Sequence, residues 1–72
     1  MDKLKKDRFD VLFDKAKLDD AKAQYKLAKW FYKGHLVQKS NINAAYWAFK
    51  SLNNGNLKAQ KLLSAIRLYD NI

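Results

Sequence analysis

Few side chains in this sequence have catalytic potential, and their spacing does not form a catalytic set. His35 is the only histidine, and no second histidine, cysteine or acid lies near it at the spacing of metal ligands. Asp7, Asp10 and Asp14 are spaced to fit one exposed helix face, which is not the arrangement of paired carboxylates that acid–base chemistry requires. We therefore predict that the protein is not an enzyme and holds no metal.

Serine and glycine patterns lead to the same prediction. Ser40, Ser51 and Ser64 lack the Gly-x-Ser-x-Gly context of an activated nucleophile. Gly34 and Gly55 are the only glycines, so there is no glycine-rich loop to cradle phosphates. The chain has no cysteine, which excludes disulfides and thiolate metal sites. No cofactor is expected.

Basic residues form the sharpest functional pattern. The formal net charge is +8, and six of the seven acids lie in the first 20 residues. Between residues 21 and 69 there is no acid, against eight lysines and one arginine. Such asymmetry indicates an acidic protein surface, nucleic acid or an anionic membrane as partner, with a merely solvated surface as the alternative. Spacings of four, three and four residues place four lysines on one helix face: Lys22, Lys26, Lys29 and Lys33.

Four helices are predicted to position these side chains, over residues 3–17, 21–33, 41–53 and 57–69. Apolar spacings of three and four residues mark the buried side of the first, third and fourth helices. The second helix is apolar around most of its circumference apart from its lysine stripe, and we predict that it is the central helix of the domain. Asp19 or Asp20 can cap the second helix, Gly34 suits its end, and Ser40 can cap the third. No alternating strand pattern competes, so residues 1–72 are expected to form one all-α domain of antiparallel neighbours.

Location is predicted from the absence of export and membrane signals. Residues 1–10 are charged and lack the apolar core of a signal peptide. No apolar run approaches the roughly 20 residues that a membrane span needs. We expect a soluble, cytoplasmic protein without a membrane span.

An internal repeat relates the second and fourth helices. Their shared residues recur at an offset of 36, and two turns, Asp19-Asp20 and Gly55-Asn56, follow the same offset. Such a period with two helices per unit is typical of helical-hairpin repeats. The recurring residues are Lys22, Ala23, Gln24 and Leu27, which return as Lys58, Ala59, Gln60 and Leu63.

The details of this unit resemble the Sel-one-like repeats, relatives of the tetratricopeptide repeats. Ala28 departs from the family's glycine, and Ser40 replaces its usual Asp cap. The resemblance implies a short α-solenoid, with about one complete repeat between two half-repeats. The matching positions are Ala23, Gln24, Tyr25, Leu27, Phe31, Gly34, Val37, Lys39, Ala44, Trp47, Gly55 and Asn56.

The resemblance also implies a binding role, because the first helix of each hairpin in this family lines the concave face where partners dock. We therefore predict a protein–protein interaction module, an adaptor or inhibitor, that takes an acidic partner surface. Direct nucleic-acid binding and self-association into a homodimer are the alternatives. The candidate partner-binding residues are Lys22, Tyr25, Lys26, Lys29, Trp30, Tyr32, Lys33, Lys58, Lys61 and Arg67.

Overall fold

The computed structural model describes residues 7–66, and within that range the chain is all-α, with no strand. The predicted all-α class is thereby confirmed. The second and third helices have the predicted bounds. The four helices are α1 (Arg8–Lys17), α2 (Ala21–Lys33), α3 (Asn41–Asn53) and α4 (Lys58–Ala65).

The outer two helices differ from the predicted bounds. Asp7 has an extended backbone, and its side chain accepts a hydrogen bond from the Asp10 N–H over 2.8 Å, so α1 begins at Arg8 and not near residue 3. The apolar spacing missed this cap because charged residues before it are compatible with a helix. Ile66 is extended and ends α4 at Ala65. Predicted helical residues 3–6 and 67–69 lie outside the described range.

Helix α2 is central and packs against all three other helices, most extensively against α3. Leu27 and Ala28 of α2 are fully buried, as are Ala44 and Ala48 of α3. Small alanine side chains at this contact let the two helices approach closely. The large core residues around it are Leu12, Trp30, Trp47, Leu62 and Ile66.

Two turns that lie 36 residues apart share one backbone hydrogen-bond pattern. Asp19 after α1 and Gly55 after α3 both have positive φ, at 65° and 100°. Each belongs to the paired arrangement that satisfies the last carbonyls of a helix. Asp20, the next residue, caps α2 through a 3.1 Å bond from the Ala23 N–H. The bonds are Asp19 N–H to Ala16 O, Asp20 N–H to Lys15 O, Gly55 N–H to Leu52 O and Asn56 N–H to Ser51 O.

A buried polar network ties these turns to α2. The Gln24 side chain is fully buried, and its Nε2 donates to the Ala16 carbonyl over 2.9 Å. Its Oε1 accepts from Asn54 Nδ2, also over 2.9 Å. Ser51 Oγ donates to the Ala21 carbonyl over 2.7 Å. No buried side-chain nitrogen or oxygen among residues 7–66 lacks a hydrogen-bond partner, so this interior avoids the cost of unpaired polar groups.

Candidate functional site

An open groove of about 1070 Å³ runs along α2. One side of it is lined by α2 and the loop residues Gly34 and His35, and the other by the turn between α3 and α4 and the first residue of α4. This volume lies just above the roughly 300–1,000 Å³ that is typical of small-molecule pockets. The lining residues are Ala21, Lys22, Tyr25, Lys26, Lys29, Trp30, Lys33, Gly34, His35, Asn54, Gly55, Asn56 and Lys58.

The groove brings together most of the candidate residues that the sequence singled out. Two candidates lie elsewhere, since neither Tyr32 nor Lys61 lines it. Arg67 lies outside the described residues. The candidates that do line the groove are Lys22, Tyr25, Lys26, Lys29, Trp30, Lys33 and Lys58.

Tyr32 has a structural position between the ends of α2 and α4. Its hydroxyl donates to the Ala65 carbonyl over 3.3 Å, at a helix end where carbonyls lack intrahelical partners. Lys39 closes over it, with Nζ 4.9 Å from the ring centroid and 2.7 Å from the Tyr32 carbonyl oxygen. Tyr32 is therefore not among the residues that line the groove, because these contacts hold it against α4.

Aromatic rings in the groove lie beneath lysine ammonium groups. Lys26 Nζ is 5.8 Å from the Trp30 ring centroid, and Lys29 Nζ is 4.9 Å from that of Tyr25. Trp30 is only 8% exposed, and the His35 ring packs edge-on against it at 5.2 Å between centroids. The rings therefore hold the lysine head groups in place by cation–π attraction and present little free face to a ligand.

The groove is strongly and uniformly basic. Five of its thirteen lining residues are lysines and none is an acid. An ion pair joins Lys17 Nζ to Asp14 Oδ1 over 3.6 Å, and neither residue lines the groove. Leu57 gives α4 no side-chain cap, but Asn56 Oδ1 accepts a 3.1 Å hydrogen bond from the Lys58 N–H, so the first amide of that helix is already paired where it meets the groove. A cleft lined by one sign of charge concentrates the field and attracts ligands of the opposite sign.

Several lining residues were missed at the sequence level. His35 lies in the loop after α2, as predicted, but its place in the groove was not predicted. Gly34, with φ 77°, turns the chain back so that the His35 N–H donates to the Trp30 carbonyl over 2.9 Å. A glycine directly after a helix favours this left-handed turn, so the reversal of the chain at Gly34 could have been predicted from the sequence. The Asn54–Gly55–Asn56 turn gave no comparable signal, because its place beside α2 depends on how the hairpins pack.

Residues 7–66 contain no cluster of three His or Asp side chains able to hold a metal ion. No helix in that range has both the length and the apolar composition required to cross a bilayer.

Comparison with known proteins found no matching family model, no similar curated protein and no similar solved structure. Fold and site thus define an all-α protein with a basic groove. The resemblance to the Sel-one-like repeats stays a prediction that rests on the matching positions.

Proposed function

We propose that this protein is a small interaction module that binds an acidic segment of a partner protein in the groove along α2. The observation that carries the proposal is a groove lined by five lysines and no acid. Lys22, Lys26 and Lys33 are exposed, so their head groups are available to carboxylates at little desolvation cost. The role is that of an adaptor or inhibitor without catalysis.

Nucleic acid is the second candidate partner, and two features make it the weaker one. Single strands bind by stacking bases on exposed aromatic faces. Trp30 is almost fully buried beneath Lys26 and His35, and Lys29 covers Tyr25. Arginine, the usual reader of base edges, occurs in this chain only at positions 8 and 67.

The proposal includes a helical-hairpin repeat of the Sel-one-like kind. Its support is the ordered set of matching positions and the shared hydrogen-bond pattern of the turns after α1 and α3. Such repeats commonly use an extended concave surface for binding. A cytoplasmic location suits a chain without cysteine.

The test is a titration of the protein against three probes: a ten-residue glutamate peptide, a random DNA duplex and a random single strand. Each titration is run at about 50 mM and about 200 mM salt. We expect saturable binding of the peptide in the groove. It should shift the amide resonances of Lys26 and Lys29 during the titration. Tighter binding of either nucleic acid than of the peptide would overturn the proposal.

A further inference from the structure

Asn54 is the only asparagine in this chain that is followed by glycine. Asparagine is a chemically labile residue, because the backbone nitrogen of the next residue can attack its side-chain carbonyl carbon. Glycine lacks the Cβ that would shield this nitrogen, so Asn54–Gly55 is the most reactive such pair in the sequence. Both residues are exposed, and a Cβ built at Gly55 would meet no atom within 4 Å, so the turn leaves room around the reacting atoms.

We propose that Asn54 is a site of spontaneous deamidation, and that the reaction places a negative charge in the basic groove. The Gly55 nitrogen loses its proton to hydroxide and bonds to the side-chain carbonyl carbon of Asn54. The side-chain nitrogen takes a proton from water and leaves as ammonia, so a cyclic imide remains. A second water opens this ring at either carbonyl carbon. The products are aspartate, or isoaspartate, in which the backbone runs through the former side chain.

The folded turn restrains this reaction through two hydrogen bonds. Asn54 Nδ2 donates to Gln24 Oε1 over 2.9 Å, and the Gly55 N–H donates to the Leu52 carbonyl over 3.0 Å. Asn54 also has ψ 13°, which turns the Gly55 nitrogen toward the backbone nitrogen of Asn54 and away from its side chain. The turn must open locally before the ring can form, so the reaction is slower in the folded chain than in the unfolded chain.

The product cannot restore the bond to Gln24. Gln24 is fully buried, and its Nε2 already donates to the Ala16 carbonyl, so an acceptor oxygen faces position 54. A carboxylate at position 54 is also an acceptor, and Gln24 Oε1 therefore loses its donor. The turn after α3 is then no longer attached to α2 through this bond, and a buried polar atom is left unpaired.

The new charge acts in the groove, and this step rests on the proposed function. Asn54 lines the groove together with five lysines and no acid. A carboxylate there offsets part of the field that attracts acidic ligands. Deamidation should therefore weaken the binding of an acidic partner.

The site is tested by incubating the full chain at neutral and at mildly alkaline pH. Trypsin cuts after Lys50 and Lys58, so fragment 51–58 carries Asn54, and its fragmentation in a mass spectrometer assigns the conversion to one residue. A sample digested before incubation corrects for conversion during digestion. We expect Asn54 to convert ahead of the other asparagines of the fragment, and faster at alkaline pH. Faster conversion at another asparagine would overturn the assignment.

The restraint by the fold is tested by repeating the incubation in urea that unfolds the chain. We expect Asn54 to react about 10 to 100 times faster there, since opening the turn breaks two hydrogen bonds. Gly55→Ala should slow the reaction in urea, where backbone strain in the folded turn plays no part. Equal rates with and without urea, or an unconverted folded chain after about 100 half-lives of the unfolded reaction, would overturn the proposal.

The effect on the groove is tested with two aspartate variants. Asn54→Asp should weaken binding of the glutamate peptide about tenfold, while Asn53→Asp should change it by less than about threefold. Asn53 is a matched control because it is exposed and adjacent but does not line the groove. Equal weakening would overturn the effect on the groove. The conversion itself is measured by mass without a ligand, so its result is independent of whether the wild type binds the peptide.

Discussion

The side chains of Gln24 and Asn54 are joined by a hydrogen bond of 2.9 Å, in which Asn54 Nδ2 donates to Gln24 Oε1. Because Gln24 Nε2 also donates to the Ala16 carbonyl, one buried side chain of α2 connects the end of α1 with the end of α3. This arrangement fixes the turn after α3 beside α2. The same turn forms a wall of the groove, so the network that stabilises the fold also shapes the site.

Replacing Gln24 by alanine is expected to lower the free energy of unfolding by about 2–4 kcal/mol. The substitution leaves a cavity and removes a hydrogen-bond partner from the Ala16 carbonyl. Gln60, at the equivalent position of the repeat, is exposed, so Gln60→Ala should change stability by at most about 0.5 kcal/mol. Urea unfolding followed by tryptophan fluorescence measures both. Equal losses for the two variants would show that the buried network does not carry this stability.

Leu27→Ala is expected to cost about 2–5 kcal/mol, the range for large-to-small changes in a core. Leu27 belongs to α2 and is fully buried in the core. Leu63, its counterpart 36 residues later, is half-buried, and Leu63→Ala should cost less than half as much. Thermal unfolding monitored by circular dichroism gives the comparison. A Leu27→Ala protein that melts like the wild type would contradict the packing of α2.

The two glycines should respond differently to alanine, although both have positive φ. At Gly55 an added Cβ meets no atom within 4 Å, so only the backbone cost of about 1–2 kcal/mol applies. At Gly34 the Cβ would lie 3.2 Å from the Lys39 Cβ, and the loop must move as well. Gly34→Ala should therefore be the more destabilising variant in urea unfolding. A larger loss of stability for Gly55→Ala would contradict the view that the close contact with Lys39 makes the Gly34 position the more restricted of the two.

Local signals in the sequence predicted much of this fold. Ser40 and Asp20 cap their helices as expected, and Gly34 ends α2 in the left-handed conformation. Each of these features depends only on a few neighbouring residues, so it could be predicted from the local sequence. The first helix was extended too far because Asp7 is compatible with both a helix and a cap, and only its backbone decides between them.

The composition of the site was harder to predict than the helices. Periodicity identified the lysine face of α2, and four of its residues do line the groove. Tyr32 was predicted beside this face and Lys61 on the equivalent helix, α4, but the surroundings of both residues depend on how α4 packs against α2. The polar wall from the Asn54–Asn56 turn follows from packing between hairpins, which spacing within one helix does not encode.

Lys58 and Lys61 offer a matched pair on one helix. Lys58 lines the groove and Lys61 does not, although both are exposed. Lys58→Glu is expected to weaken binding of a glutamate peptide by roughly tenfold, or about 1.4 kcal/mol, while Lys61→Glu should change it by less than about threefold. Isothermal titration of both variants measures this difference. Equal weakening would mean that the net charge of the protein, and not the groove, governs binding.

The central claim is tested most directly by reversing two lysines in the middle of the groove. Lys26→Glu combined with Lys29→Glu is compared with Lys50→Glu combined with Lys61→Glu, which changes the net charge equally outside the groove. Lys26 and Lys61 are exposed, while Lys29 and Lys50 are half-buried, so each variant combines one exposed and one half-buried change. Both should therefore lose a similar free energy of unfolding, at most about 1 kcal/mol. We predict that the groove variant loses measurable binding to the glutamate peptide while the control keeps an affinity within about threefold of the wild type. Peptide affinity that is unchanged in the groove variant, or reduced equally in both, would contradict the account.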